Sequence, residues 1–356
     1  MPTGPSIKPT AVDLSEFESI LDVRPPLANR TGMPGMVVTP LDELIADPTR
    51  FIDDPAKPVL IVCDIGMRSA YVAQHLTDQG YSSVASLEGG LDEWRHQGLP
   101  LVGTAGLTDD QLERFDRQIK LPGIGPDGQS LLLGSTVVVV GVGGLGVPVA
   151  TYLAAAGVGT LILIDPDVVE ISNLQRQPIY TTKDAGTPKV AAARDFIGSL
   201  TSETRVGVDQ TPLDAANAEA LLTGADVVVD ATDSFAARYA ISDAAHKLGV
   251  PVVSGAVYRW EGQITTLDPQ GPCYRCLFPD APTGTGHLDC ALIGAIGPVV
   301  ATIGTMQATE VIRLLTGGSS SYSGRLGLYD GAAGTLAVLP VSRRSGCPTC
   351  DGAVSA

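Results

Sequence analysis

Four of the six cysteines in this 356-residue chain fall in two C-x-x-C pairs, Cys273 and Cys276 in CYRC and Cys347 and Cys350 in CPTC. Thiolates at this spacing form the ligand set of a tetrahedral zinc site. Four of them leave no open coordination position, so Zn2+ held there is structural and pins the C-terminal tail to the CYRC segment. The competing reading is a pair of redox dithiols, but neither pair opens a clear helix, as redox motifs do.

A fifth cysteine, Cys63, lies in IVCDIGMRSA, between an apolar run and a helical pattern. A thiol at a strand end, with a short loop closing onto a helix, sits at the positive end of that helix. Loop N–H groups and the helix dipole there favour a thiolate or persulfide anion. Gly66 lets the loop curl, and Arg68 can hold the loop or face the anion. A buried packing cysteine would also fit the apolar run. The sixth, Cys290, follows the Gly-, Thr- and Pro-rich stretch PTGTGHLD and precedes the apolar ALIGAIGP, which reads as a helix. It is either an acyl-accepting nucleophile or a packing residue. His287 beside it reads as an exposed loop residue.

The segment VVVVGVGGLGVPVATYLAAAGVGTLILID reads as strand, glycine turn, helix and strand. Gly141, Gly143 and Gly146 fit G-x-G-x-x-G, with Gly144 inside it, and Asp165 ends the second strand where it can bond ribose hydroxyls. Alone, this pattern suggests an NAD-dependent oxidoreductase. The residues after it argue for ATP. DPDVVEISNLQRQ brings Asp167, Asn173, Arg176 and Gln177, GTPKVAAA brings Lys189, and RFDRQ upstream brings Arg114 and Arg117. This is more cationic charge than a pyrophosphate requires, and it suits a triphosphate with a carboxylate for Mg2+. Asp233, past the strand DVVVD, is the chosen magnesium carboxylate because ligands lie at that edge of such sheets.

These groups need elements to place them. Residues 15–101 alternate short β-like runs with helical patterns as a small α/β unit, after a frayed segment 1–10. GTAGLTDDQ, residues 103–111, reads as a linker. From about residue 111, the apolar runs TVVVVG, TLILID, DVVVDAT and VPVVSG predict a mostly parallel sheet covered on both faces. The later runs QITTLD, RLGLYD and TLAVLPV alternate and read as antiparallel. No internal repeat is visible. The net charge is −16 with 44% hydrophobic residues, which describes a folded chain ill suited to nonspecific binding of nucleic acid or anionic membranes. No signal peptide and no convincing membrane span is seen, so a cytoplasmic location with reduced thiols is expected.

ILDVR, the CDIGMRS loop, LEGGLDEW and GLPL together resemble a rhodanese domain over residues 10–103. The resemblance implies that Cys63 carries a persulfide, with Arg68 in its cradle and Asp22 in a structural role. TGMPGM stands where the family often has a histidine.

RFDRQ, GVGGLG, SNLQRQ, EGQ, CYRCLFP and AIGP, with the terminal CPTC, resemble the ubiquitin-activating-like (E1-like) adenylyltransferases that activate sulfur-carrier proteins, over residues 111–356. The expected fold class is therefore α/β: an N-terminal rhodanese-like domain, then a Rossmann-like E1-type adenylation domain with a structural zinc site. The resemblance implies that Asp165, Asn173, Arg176, Lys189 and Asp233 bind ATP and magnesium. It further implies that Arg114 or Arg117 reaches the neighbouring subunit of a homodimer. The family usually has Asn where Ser234 stands, and LTSET replaces an Asn-Pro. The implied reaction is adenylation of the carboxylate of a ubiquitin-like sulfur-carrier protein ending in Gly-Gly. Sulfur from Cys63 follows, supplied by a cysteine desulfurase or thiosulfate. The alternatives are the NAD-dependent oxidoreductase and a non-sulfur activating enzyme with a regulatory rhodanese module. Thermal protection by ATP and not by NAD is the expected result, and the reverse pattern sinks the ATP reading.

Overall fold

Val59–Val62 is apolar and buried at every position, which a strand permits when both faces of its sheet are covered. In the computed structural model, which describes residues 6–24, 32–101, 107–280 and 294–351, this run is the middle strand of a five-stranded sheet. Its members are β1 (Ser6–Ile7), β2 (Ser19–Asp22), β3 (Met36–Val38), β4 (Val59–Val62) and β5 (Val84–Leu87), in the order β1-β5-β4-β2-β3 and all parallel. The period of two sorts the side chains. Leu60 and Val62 pack with Leu87, Leu91 and Trp94, while Val59, Ile61 and Cys63 pack with Val72, Ala73 and Leu76. Helices α1 (Leu41–Ala46), α2 (Met67–Asp78) and α3 (Gly90–His96) supply the covering layers. Two strands exceed the sequence expectation. Ser6–Ile7, in the segment expected to fray, pairs with Ser86–Leu87, and Met36–Val38 pairs with β2. Both are edge strands of two or three residues, too short to show a pattern.

The chain divides into two compact units, Met1–Ser130 and Leu131–Ala356. In chain order α3 is followed by α4 (Asp109–Arg114), α5 (Asp116–Ile119) and α6 (Gly125–Gly134), whose last residues belong to the second unit. Thr108 starts α4 with a capping box shared with Gln111.

The second unit is built on eight strands: β6 (Thr136–Val140), β7 (Thr160–Ile164), β8 (Arg205–Asp209), β9 (Val227–Asp230), β10 (Val252–Tyr258), β11 (Glu261–Leu267), β12 (Arg325–Asp330) and β13 (Thr335–Pro340). Their order is β13-β12-β11-β10-β9-β6-β7-β8. Pairings from β10 to β8 are parallel, and those from β10 to β13 are antiparallel, as the alternating late runs predict. Val137, Val139, Leu161 and Leu163 pack under α7 (Gly146–Ala155) and α8 (Lys189–Leu200), while Val138, Val140 and Ile164 pack under α9 (Ala218–Leu222) and α10 (Phe235–Leu248). A four-residue helix, α11 (Tyr274–Leu277), and the long α12 (Gly297–Leu315) complete the unit. The sequence missed β8 because it is a half-exposed edge strand carrying Arg205 and Gly207. Residues 291–293 of ALIGAIGP lie outside the described residues; a helix starts at Gly297, with Pro298 in its first turn, where a missing N–H costs nothing. Among the described residues, no helix is long and apolar enough to cross a membrane.

Sequence order reverses between β6 and β9. The chain leaves β6 toward β7 and β8, then returns to β9 on the other side. The loops after β6 and β9 therefore diverge and open a crevice at the carboxyl ends of the strands.

In the first unit, Asp22 and Arg24 form a buried ion pair, Nη2 to Oδ2 at 2.7 Å with both side chains 3% exposed. Asp22→Ala removes the close, buried counter-charge of the guanidinium, leaving the half-exposed Asp64 at 3.9 Å, and should cost about 3–5 kcal/mol. Asp92→Ala, which breaks the exposed pair with Arg95, should cost less than about 1 kcal/mol. Urea unfolding followed by Trp94 fluorescence measures the difference, and equal losses would contradict the burial argument.

Candidate active site

Cys63 follows β4 and is 1% exposed. Its Sγ accepts the Ser69 N–H at 3.3 Å from the first turn of α2, which Gly66 opens with φ 81°. The Ser69 hydroxyl lies 3.3 Å from the same sulfur and accepts a hydrogen bond from the Ser86 hydroxyl at 2.9 Å. A sulfur anion here meets a helix N-terminus and a two-hydroxyl relay from β5. The loop is also held from outside. Leu91 N donates to the Cys63 carbonyl and Asp92 N to the Asp64 carbonyl, both at 2.9 Å. A Cβ on Gly90 would lie 2.4 Å from either carbonyl oxygen, so the Gly90–Asp92 start of α3 is the clamp on the cysteine loop. Arg68 is exposed on α2, and the contacts expected of it come from Ser69. Ser86 carries no sequence signal, since a serine in an apolar strand reads as filler, and Ser69 has none of its own beyond closing the CDIGMRS loop. Asp22 holds Arg24, which reaches within 3.9 Å of Asp64 in the loop, a structural role as expected.

In the second unit, the glycine turn lies between β6 and α7. A Cβ on Gly146 would fall 1.9 Å from the Gly141 carbonyl oxygen, and Gly141 itself has φ 90° with Ala231 of the loop after β9 against it. Asp165 ends β7 and is 5% exposed. Its Oδ2 accepts Val142 N at 2.7 Å and its Oδ1 accepts Asp167 N at 2.9 Å. Burial pushes the carboxyl up, against the pull of Lys189 and the two amides. Lys189, at the start of α8, is held by Asp167 at 2.8 Å. Tyr180 was not foreseen. Its hydroxyl donates to the Val142 carbonyl at 2.8 Å and lies 3.3 Å from the Lys189 carbonyl. Burial pushes its acidity down, so it stays a donor.

A short 3-10 turn, Ile171–Asn173, presents the next residues. Asn173 accepts Glu170 N at 3.0 Å through its side chain, and its carbonyl accepts Arg176 N and Gln177 N. Positions 143 and 144 then lie 3.6 Å, measured from a Cβ there, from Gln177 Nε2 and from the Arg176 side chain. Gln177 is 2% exposed, and among the described residues its Oε1 has no hydrogen-bond partner. Asp233 is exposed in the loop after β9, at the switch point. The structure thus brings together Gly141, Gly143, Gly144, Gly146, Asp165, Asp167, Arg176, Gln177 and Lys189, with Asn173 bracing the turn. Arg114 and Arg117 are exposed residues of the first unit. Cys290 and His287 lie outside the described residues.

The loop holding Asp233 rests on a buried network. Asp230 accepts Ser254 Oγ at 2.6 Å and both the N–H and hydroxyl of Thr232, at 3.1 and 2.7 Å. Gln307 of α12 donates to the carbonyls of Asp230 and Val253, at 2.9 and 3.0 Å. Nothing in the spacing of these residues reveals this network.

The four cysteines of the two C-x-x-C pairs meet, with all Sγ atoms within 4.8 Å of one another. Cys273–Cys347 and Cys276–Cys350 are both 3.4 Å, and Cys273–Cys276 is 3.9 Å. Tetrahedral zinc with about 2.3 Å bonds sets sulfurs about 3.8 Å apart, so the set fits the ion. Burial pushes the Cys273 thiol up. Burial acts the same way on Cys347, but the N–H groups of Cys350 and Thr349 outweigh it and draw that thiol down to about 6.

A mixed sheet, parallel around a switch-point glycine turn, together with a four-cysteine cluster, defines a Rossmann-like domain, which a smaller α/β domain precedes in the chain. The ThiF family profile matches residues 115–349, and the chain belongs to that family. A rhodanese-like domain matches residues 10–97. A SAMP-activating enzyme E1 of Haloferax volcanii is 46% identical over 247 residues, covering 69% of this chain and 92% of its own length. A sulfur carrier protein adenylyltransferase of Thermus thermophilus is 43% identical, with 68% and 92% covered. The adenylyltransferase and sulfurtransferase MOCS3 of Dictyostelium discoideum is 42% identical over 68% of this chain, which spans 58% of that protein. A crystal structure of E. coli MccB with ATP shares the fold, with a TM-score of 0.60 at 20% identity over 70% of this chain and 76% of that one.

Cobalt(II) loaded into the four-thiolate site should give the absorption of a tetrahedral thiolate complex. Cys347→Ser should weaken that band and lower zinc retention. An unchanged spectrum would exclude Cys347 as a ligand.

Proposed function

We propose that residues 111–356 adenylate the C-terminal carboxylate of a ubiquitin-like sulfur-carrier protein ending in Gly-Gly, and that residues 10–103 supply the sulfur that replaces AMP. The observation that carries this reading is the placing of Arg176, Lys189 and Gln177 around a glycine turn at the switch point. The turn admits a nucleotide backbone close to main-chain N–H groups, and two cations beside it suit a triphosphate. Asp165 keeps lone pairs for ribose hydroxyls, and the unpartnered Gln177 Oε1 fits a ligand that brings a donor. Asp233 would hold Mg2+, which supplies charge neutralisation for the phosphates when bound.

The carrier's carboxylate oxygen attacks the α-phosphorus of ATP, and pyrophosphate leaves with the bonding pair. Arg176 and Lys189 offset the charge that gathers on the phosphate oxygens. AMP is then the leaving group from the acyl-adenylate. Cys290 takes the acyl group as a thioester, and the terminal sulfur of the Cys63 persulfide takes it in turn. A small thiol cleaves the acyl persulfide, releasing the thiocarboxylate and leaving a disulfide on Cys63 that a second thiol reduces. Thiosulfate recharges Cys63 with release of sulfite, and a cysteine desulfurase would do the same. A homodimer in which Arg114 or Arg117 reaches the partner's nucleotide completes the scheme.

Mass spectrometry of Gly-Gly-ending carriers, incubated with ATP, thiosulfate and this protein, tests the reading. The expected product gains a sulfur in place of an oxygen. Cys63→Ala should abolish that gain while leaving carrier-dependent pyrophosphate exchange intact. Asp233→Ala should slow exchange by about a hundredfold, the scale of losing a principal electrostatic group. Exchange at the wild-type rate in Asp233→Ala would remove that residue from the magnesium site.

A further inference from the structure

Asp233 and the four-thiolate site lie toward opposite ends of one helix. Ser234 caps α10, its hydroxyl accepting Ala237 N at 3.5 Å. Toward the other end, Asp243 receives both cysteine pairs. Arg275, between Cys273 and Cys276, holds it with Nε at 3.1 Å and Nη2 at 2.7 Å. Thr349, between Cys347 and Cys350, donates to it at 2.7 Å. Tyr274 N donates to Ser242 at 3.1 Å, and the Tyr274 ring packs edge-on against Tyr239, 5.4 Å between centroids. The knuckle is therefore seated on α10 by residues from both of its halves. Ten residues of helix, about 15 Å, separate Asp243 from Asp233.

Arg238 occupies the middle of this span. Its Nη2 donates to the Thr232 carbonyl at 2.5 Å, the residue before Asp233. The same guanidinium and Tyr274 of the knuckle line one small pocket together with Ser254; burial works against the guanidinium's charge, and the Asp230 and Asp233 carboxylates favour it. Thr232 is thus gripped twice, by Asp230 through its N–H and hydroxyl and by Arg238 through its carbonyl.

We propose that Arg238 is a positioning residue for adenylation, tying the Asp233 loop to Tyr274 so that the four-thiolate site sets the stiffness of the magnesium-binding loop. The proposal rests on Asp233 as the magnesium carboxylate. It makes the metal knuckle more than a clip for the tail. When the sulfurs lose their ion, Tyr274 and Arg275 lose their fixed backbone, and Arg238 loses one of the groups that orient it.

The test uses the full-length chain with Arg238→Met, Arg238→Lys and Tyr274→Phe. In calorimetric titration of ATP at graded Mg2+, the Mg2+ needed for half-maximal binding should rise about tenfold in Arg238→Met, the loss of a charge-assisted hydrogen bond. It should rise less in Tyr274→Phe and be partly restored in Arg238→Lys. Zinc content should stay at the wild-type level in all three. Hydrogen exchange gives a readout independent of nucleotide. Stripping zinc with a chelator should speed exchange of the amides of 231–238 in the wild type, and should add little in Arg238→Met. An unchanged Mg2+ requirement in zinc-replete Arg238→Met, or unchanged exchange at 231–238 after zinc removal, overturns the coupling. Failure of the wild type to bind ATP at all would overturn the adenylation reading instead, with the exchange experiment still deciding the coupling.

Discussion

The Asp165 carboxylate joins two backbone amides, one from the glycine turn and one from the segment that leads to Lys189. A carboxylate 5% exposed must find donors or lose its charge, and here both donors are main-chain groups whose positions it then fixes. Through Asp167 the constraint reaches the Lys189 ammonium, and through Tyr180 it returns to the Val142 carbonyl. The turn, the second strand end and the first turn of α8 are therefore one unit. An enzyme that must meet a triphosphate with fixed dipoles depends on such a set being in place before the ligand arrives.

The two units solve the same problem by different means. Each places a reactive or ligand-binding loop between a buried parallel strand and a helix N-terminus. In the first unit the loop is short, and the amides of Leu91 and Asp92 clamp it, with no room at Gly90 for a side chain. In the second, the glycine turn is longer and leans on Ala231 from the neighbouring strand's loop. Thiol chemistry needs a single sulfur held near a few donors, and a compact clamp suffices. Nucleotide chemistry needs room for phosphates, which the switch point between β6 and β9 provides.

The four-cysteine cluster joins the C-terminal segment to the rest of the second unit. Four sulfurs gathered from positions about seventy residues apart hold the tail without a large apolar core, and Asp243 converts that attachment into support for α10. The acidic surface of a chain with net charge −16 leaves anion binding to local cations, which is why the cluster at Arg176 and Lys189 carries the weight of the functional reading.

The sequence by itself determined the α/β class, the four-thiolate set, the Cys63 loop and the glycine turn. Each is a local pattern of residue type and spacing whose chemistry needs no distant partner to be recognised. The edge strands at 6–7, 36–38 and 205–209 escaped because they are short or half exposed, and their pairing comes from the neighbouring strand. Ser86, Tyr180, Gln307 and Arg238 escaped for a related reason. A serine, a tyrosine, a glutamine and an arginine are unremarkable in their own segments, and they acquire meaning where a distant carbonyl, hydroxyl or carboxylate meets them in a buried place. Only the tertiary structure decided that Ser69, and not Arg68, touches the sulfur. Only it seated both cysteine pairs on the helix that begins beside Asp233, because burial and hydrogen-bond partnership are properties of the folded chain.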